Sequence, residues 1–386
     1  MRRLRSVVRM ENEIGNVPGM TVCHVCKKET PAGENFCKNC RYPINVRKVN
    51  DFSAEETLAQ LEGLAKVMEN KKGFFGNREL DGIYHELVCL HWLRPESALL
   101  RFLEARILLG FRKKYLKWPL LDLGCGEGLF TSILFGARVN KKYDAFEAVD
   151  FSQTDIYNDS RALPEDMLEK RPAGKIGFGV DIKESMVKKA NGLGTFDSVR
   201  QGDLRNLPFG PQTMNSVFTN MIDDIKEEDL GKVLMEVNRV LCKKGHFVFV
   251  TPAKNFRKFL LYYNRAVKAG KKGDLAGSAR FRDFDRGRSE WEPRPKEFWK
   301  RLFKKTGFEM LEFKEYGSRA MLEFWDTGFR PFFFQLMAAR NMLKAGNALA
   351  PSKAIYVELM KAYLLRFACE KLSGSGAFAI VVARKR

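Results

Sequence analysis

Two groups of residues have types and spacing that could do chemistry. The first is Cys23, Cys26, Cys37 and Cys40, in the run CHVCKKETPAGENFCKNC. Two C-x2-C pairs let two short turns aim four thiolates at one ion, which is the tetrahedral donor set of Zn2+. So short a stretch buries no useful core, so the metal itself would hold its fold. His24 lies inside the first pair and is not needed once four cysteines complete the shell. The second group is LLDLGCGEG, residues 120–128, where an apolar run ends in Asp122 and is followed by Gly124, Gly126 and Gly128. Glycines allow a tight turn and let a ligand approach the backbone. A dinucleotide loop favours G-x-G-x-x-G, with pyrophosphate at the helix N-terminus. Here the run is G-x-G-x-G with an acid two residues ahead, which opposes a nearby phosphate and suits a cationic ligand.

The glycine run needs a strand before it and a helix after it. From residue 119 the sequence alternates between apolar runs (WPLLDLG, KIGFGVDI, SVRQGDL, MNSVFTNM, GHFVFVTP) and helical patterns such as ESMVKKANG and EEDLGKVLMEVNRVLCKKG. That alternation predicts an α/β fold with a parallel sheet covered on both faces. FEMLEFKEYG and AFAIVVARKR add two strands near the end. In open parallel sheets ligands bind beyond the C-terminal strand ends. Asp181 closes the second run, Asp203 and Leu204 follow the third, and Asn220 follows the fourth. Upstream, Ser53 and Glu56 fit a capping box, and Leu58, Leu61, Leu64, Val67 and Met68 recur at helical spacing. Residues 79–117 also read as helical. His85 and His91 lie there six apart, which is no ligand spacing on one helix face, so both read as packing or interface residues.

The ordered set resembles the class I S-adenosylmethionine-dependent methyltransferases, in particular those acting on small molecules and lipids. The resemblance covers residues 118–252 and continues more faintly through PKEFWKRLFKKTGFEMLEFKEYG. It implies a Rossmann-like, doubly wound, seven-stranded, mostly parallel sheet with S-adenosylmethionine as cofactor. Gly124, Gly126 and Gly128 would then line the methionine part behind Asp122. Asp181 would hold the ribose, Asp203 and Leu204 the adenine, and Asn220 would lie near the sulfonium. Asp181 stands 59 residues after Asp122, a longer gap than the family's usual one. A rival, Asp150 in FEAVDFS, stands 28 residues on. Asp181 is preferred because ESMVKKA and then QGDL follow it in the expected order, which makes residues 137–174 an insertion. NMIDDI departs from the Asn/Asp-Pro-Pro-aromatic motif used on exocyclic base amines, which argues against that reaction. No residue declares itself as a general base, though Asp223, Asp224 and Tyr316 lie in suitable segments. The cysteine module resembles the small zinc ribbons at the ends of many prokaryotic proteins, which implies docking to a protein partner.

These readings divide the 386 residues into a basic tail (1–19), a zinc ribbon (20–45), a linker helix (46–75) and a methyltransferase domain (76–386) with insertions near 137–174, 254–295 and 320–372. The formal net charge is +20, which suggests an anionic partner. Residues 254–305 hold 17 Lys and Arg against 6 Asp and Glu. Within them KNFRKFLLYYNRAVKAGKKG reads as a basic amphipathic helix, suited to an anionic membrane surface or to covering a lipophilic substrate. The 320–372 stretch, dense in Phe, Trp, Leu and Met, reads as a helical cap with an apolar pocket, or equally as ordinary core or a dimer surface. The acceptor expected is a lipophilic or lipid-linked small molecule. The alternatives are RNA, gripped by the ribbon and the basic cap, and a non-catalytic S-adenosylmethionine-binding adaptor. With no apolar run of membrane-spanning length and no secretory leader pattern, the expected location is the cytoplasm, peripheral to the membrane.

Overall fold

A computed structural model of the chain describes residues 19–23, 26–32, 34, 37–39, 59, 62, 73–149, 166–220, 222–261, 264, 291–329, 332–370 and 374–386. The chain divides into two compact units, residues 1–67 and 68–386. In the first, β1 (Met20–Val22) pairs antiparallel with β2 (Glu29–Pro31), Met20 opposite Pro31. The Lys27 amide donates to the Cys23 carbonyl at 2.8 Å, the Cys23 amide donates to the Lys28 carbonyl at 3.0 Å, and Lys27 has a φ of 59°. Of the linker helix expected over 46–75, the segment 46–72 is described only at Ala59 and Glu62, both helical; its other residues lie outside the described set.

The second unit opens with α1 (Arg78–Leu90) and α2 (Pro95–Tyr115). The sheet strands are β3 (Leu120–Leu123), β6 (Gly177–Asp181), β7 (Ser198–Gln201), β8 (Met214–Thr219), β9 (Leu241–Pro252), β10 (Phe308–Tyr316) and β11 (Phe378–Lys385). Their order is β10-β11-β9-β8-β3-β6-β7, with only β11 running against the others. Between them run α3 (Leu129–Leu134), α4 (Glu184–Gly192), α5 (Glu227–Val240), the short α6 (Phe256–Phe259), α7 (Lys296–Thr306), α8 (Arg319–Thr327), α9 (Phe333–Ala345) and α10 (Leu349–Ala368). This is the seven-stranded, mostly parallel methyltransferase-type sheet expected from the sequence.

Alternation along each strand splits the core into two layers. Leu120, Val248, Val250, Ile380 and Val382 face α1, α2 and α10. Leu121, Leu123, Phe247, Phe249 and Val381 face α5 and α7 through Val233, Val237, Trp299 and Phe303. Each central strand is therefore buried on both sides, which is why it reads as a continuous apolar run.

The 320–372 region is part of the first layer. Met321, Leu322, Trp325, Val357, Leu364 and Phe367 are buried in one cluster with Tyr84 of α1 and Phe102 of α2. The 137–174 insertion forms a small hairpin, β4 (Arg138–Val139) against β5 (Leu168–Lys170), with a 3-10 turn at Ala145–Ala148. It is pinned to α9 and α10. Asp144 accepts from Arg340 Nε at 2.7 Å and from Trp92 Nε1 at 3.0 Å, and Lys353 Nζ donates to the Tyr143 carbonyl at 2.7 Å. Asp150 lies outside the described residues, as does most of the basic amphipathic segment that begins at α6. Among the described residues no helix is long and apolar enough to cross a membrane.

Candidate cofactor cleft and cysteine cluster

An open cleft of about 1080 Å³ lies beyond the C-terminal ends of β3, β6, β7 and β8. Six of the eight residues assigned to the cofactor from the sequence line it together: Gly124, Gly126, Asp181, Asp203, Leu204 and Asn220. The glycine loop hangs from β6, with the Gly124 and Cys125 amides donating to the Val180 carbonyl at 2.8 and 3.1 Å. Gly124 and Gly126 have φ of 64° and 55°, in the left-handed region that glycine adopts without a Cβ penalty. Above Gly126 a Cβ would meet nothing within 4 Å, so open space is left for a ligand.

Asp181 is buried at the tip of β6. Its Oδ2 accepts from the Gly126 amide and its Oδ1 from the Lys183 amide, each at 2.9 Å. Two fixed donors orient the carboxylate and leave each oxygen a lone pair toward the cleft, the geometry that accepts a vicinal diol. Asp203 sits beside β7, its carboxylate gripped by Arg205, whose Nη2 lies 2.6 Å from Oδ2. Arg205 also reaches Asp229 at 3.2 Å. That guanidinium holds the Asp203 carboxyl below its usual range.

Asp122 and Gly128 are not among the cleft-lining residues. Asp122 is buried beneath the loop, where its Oδ2 accepts from Thr131 Oγ1 at 2.6 Å. Burial, with Asp181 nearby, pushes its carboxyl up to about 7 although the Thr131 bond opposes this. Gly128 caps α3 with a φ of 80°, and a Cβ there would come within 2.7 Å of the Phe196 ring. Both residues shape the loop from behind. Burial also raises the Cys125 thiol well above its ordinary value, so the cysteine inside the loop is no nucleophile at neutral pH.

Beyond Asn220 the cleft is walled by the 3-10 turn Ile222–Asp224. The returning segment Trp291–Arg294 clamps this turn. Trp291 Nε1 donates to Asp224 Oδ1 at 3.2 Å, and Arg294 donates to the carbonyls of Ile222 and Ile225 at 3.3 and 3.1 Å. Arg101 of α2 completes the wall; its position in the chain gave no signal, because only the fold brings α2 beside the glycine loop. Tyr316, the third base candidate, is buried and absent from the lining; it donates to Glu104 at 3.3 Å. Eight acidic and five basic side chains line the cleft, an excess of negative charge in a chain of net charge +20.

In the first unit Cys23, Cys26 and Cys37 place their sulfurs within 4.8 Å of one another. Cys26 and Cys37 are 3.5 Å apart, far beyond a disulfide bond and close to the ~3.8 Å separating two thiolates on a tetrahedral Zn2+. Cys23 and Cys37 are fully buried and Thr30 Oγ1 donates to Cys37 at 3.6 Å. Cys40, the fourth ligand expected, lies outside the described residues.

A sequence profile described as a methyltransferase domain matches residues 165–249, the stretch that carries Asp181, Asp203, Leu204 and Asn220. No curated protein matches. Among solved structures the chain is similar to the [4+2]-cyclase SpnF, at 16% identity over 75% of this chain and 81% of that one, with a TM-score of 0.38. It is similar to an S-adenosylmethionine-dependent methyltransferase from Thermotoga maritima at 16% identity, 74% and 93% coverage and a TM-score of 0.37. A Mesorhizobium loti S-adenosylmethionine-dependent methyltransferase gives 14% identity, 69% and 90% coverage and a TM-score of 0.32. At these identities and scores the likenesses add nothing to the fold described above. By its domain match the chain is an enzyme that transfers methyl groups, with S-adenosylmethionine as donor.

Proposed function

We propose that the chain methylates a neutral or cationic, lipophilic small molecule that it meets at a membrane surface. The observation that carries this reading is the charge of the cleft. With eight carboxylates against five cations in its walls, it favours a sulfonium donor and disfavours a phosphate beside the transferred methyl. In this reading Gly124 and Gly126 follow the methionine chain, Asp181 takes the ribose hydroxyls, Leu204 and Asp203 border the adenine, and Asn220 lies by the sulfonium. Transfer is an in-line displacement whose rate comes largely from positioning, so the clamp of Trp291 and Arg294 on the 222–225 turn matters more than any single acid. Where the acceptor must lose a proton, Asp223 on that turn would receive it. Support for a lipophilic acceptor comes from Phe332, Phe334, Met342, Leu359 and Tyr363, large apolar side chains left exposed on and beside α9 and α10.

RNA remains the second reading, favoured by the exposed Lys296, Lys300, Arg301, Lys304 and Lys305 of α7. We further propose that Cys23, Cys26, Cys37 and Cys40 hold one structural Zn2+, whose affinity for four thiolates would supply the folding energy a core this small lacks. Incubation with methyl-labelled S-adenosylmethionine and fractionated cell extract tests the acceptor. Label should enter the organic-soluble small-molecule fraction; label confined to RNA would overturn the first reading in favour of the second.

A further inference from the structure

The methionine end of the donor carries a carboxylate, and an acid-rich cleft needs a cation to receive it. Five basic residues line the cleft: Arg101, Lys183, Arg205, Lys226 and Arg294. Arg205 is taken by Asp203 and Asp229, and Arg294 spends both terminal nitrogens on the carbonyls of Ile222 and Ile225. Lys183 follows Asp181 at the start of α4, on the ribose side, and Lys226 is exposed at the start of α5. The sheet order then fixes where each part of the donor lies. With adenine over β7 and ribose over β6, the amino-acid tail must run over β3 toward β8.

Arg101 stands at that end. Its guanidinium lies 5.7 Å from the ring centre of Phe130, the second residue of α3, and Phe130 stacks on Phe218 of β8 at 6.3 Å. Glu104, one turn along α2 and buried, accepts from Arg101 Nη1 at 2.7 Å and is itself held by the Tyr316 hydroxyl at 3.3 Å. One edge of the guanidinium is thus anchored, with an aromatic ring standing beside it. Among the described residues Glu104 is its only hydrogen-bonding partner, so the remaining donors are left for a planar, anionic group.

We propose that Arg101 binds the carboxylate of the donor's methionine moiety, with Glu104 and Phe130 as its positioning residues. The proposal rests on the reading of the cleft as the S-adenosylmethionine site. It separates two ligands that share adenosine: S-adenosylhomocysteine carries the amino-acid tail, and methylthioadenosine lacks it. Calorimetric titration of both into the full chain and into Arg101→Gln is the test. Affinity for S-adenosylhomocysteine should fall about tenfold or more, the loss of one charge-assisted contact, while that for methylthioadenosine stays within about twofold. The paired variant Arg101→Gln/Glu104→Gln, which leaves no lone buried carboxylate, should behave the same way if the single variant folds poorly. Equal losses for both ligands, or no loss for either, would overturn the assignment. Asp181→Asn should weaken both ligands together. A wild-type chain that binds neither would mean instead that the cleft reading itself is wrong.

Discussion

The carboxyl of Asp122, shielded from water beneath the glycine loop and pushed up to about 7, sets a specific pH dependence. A carboxyl raised on folding holds its proton more tightly in the folded state than in the unfolded chain. Its contribution to stability is therefore complete below pH ~4 and is lost as pH rises toward 7. Asp122→Asn keeps an oxygen to accept from Thr131 and never ionises. Its melting temperature should match that of the wild type below pH ~4, exceed it increasingly as pH rises toward 7, and keep a steady lead above that; a constant offset across the whole range would show that Asp122 ionises freely. Gly128 makes a second case. A side chain there faces both a φ of 80° and Phe196, so Gly128→Ala should cost roughly 2–4 kcal/mol in denaturant unfolding. Adding Phe196→Leu should recover only the steric part. Both residues belong to the run that spells the loop, yet the run alone does not separate those that face the ligand from those that hold the loop. Gly126 and Gly128 read alike in sequence and differ only in what stands opposite, open space for one and an aromatic ring for the other. Arg101 was not legible at all, since its neighbours in space come from α3 and β8.

Elements buried on both faces were the most legible, because two-sided burial leaves little in the sequence except apolar residues. β3, β8 and β9 all fell where the apolar runs placed them. The 320–372 helices were open to several readings for the opposite reason. Whether an apolar helix covers a pocket or fills the core depends on its partner, here α1 and α2, more than 200 residues earlier in the chain. The 137–174 insertion was visible only as extra length, and its tie to α9 is an ion pair between residues 196 apart. That tie makes a testable element-scale claim. Asp144 and Arg340 are almost wholly buried, and the carboxyl of Asp144 is lowered overall: burial alone would raise it, but bonds from Trp92 and Arg340 prevail. Arg340→Met strands a buried carboxylate and should cost about 3–5 kcal/mol, whereas Arg340→Met/Asp144→Asn should cost markedly less. Because the folded carboxyl lies below its ordinary value, the stabilisation is present above pH ~4 and lost as pH falls through the folded value. The gap between wild type and Arg340→Met, followed by chemical denaturation, should accordingly narrow in acid.

At the scale of the whole molecule, charge of opposite sign is kept in different places. The chain is strongly basic, while the cleft carries an excess of acids. Any anionic surface that attracts the protein should therefore act outside the cleft, and occupying the cleft should not displace it. A polyanion held by phosphate contacts alone is released as salt rises, because screening and counterion release remove the whole attraction. A membrane contact adds burial of apolar side chains, which salt does not weaken. The exposed Phe332, Phe334 and Met342 predict the second pattern. Sedimentation with phosphatidylserine-containing vesicles should show association that weakens from about 50 mM to about 500 mM salt but levels off above zero. Phe332→Ser/Phe334→Ser should abolish that residue of binding while leaving the low-salt component, and saturating S-adenosylhomocysteine should change neither. Binding that vanishes completely with salt and ignores the two phenylalanines would mean that phosphates alone are recognised. Competition by S-adenosylhomocysteine would place the anionic contact inside the cleft, against the charge of its walls.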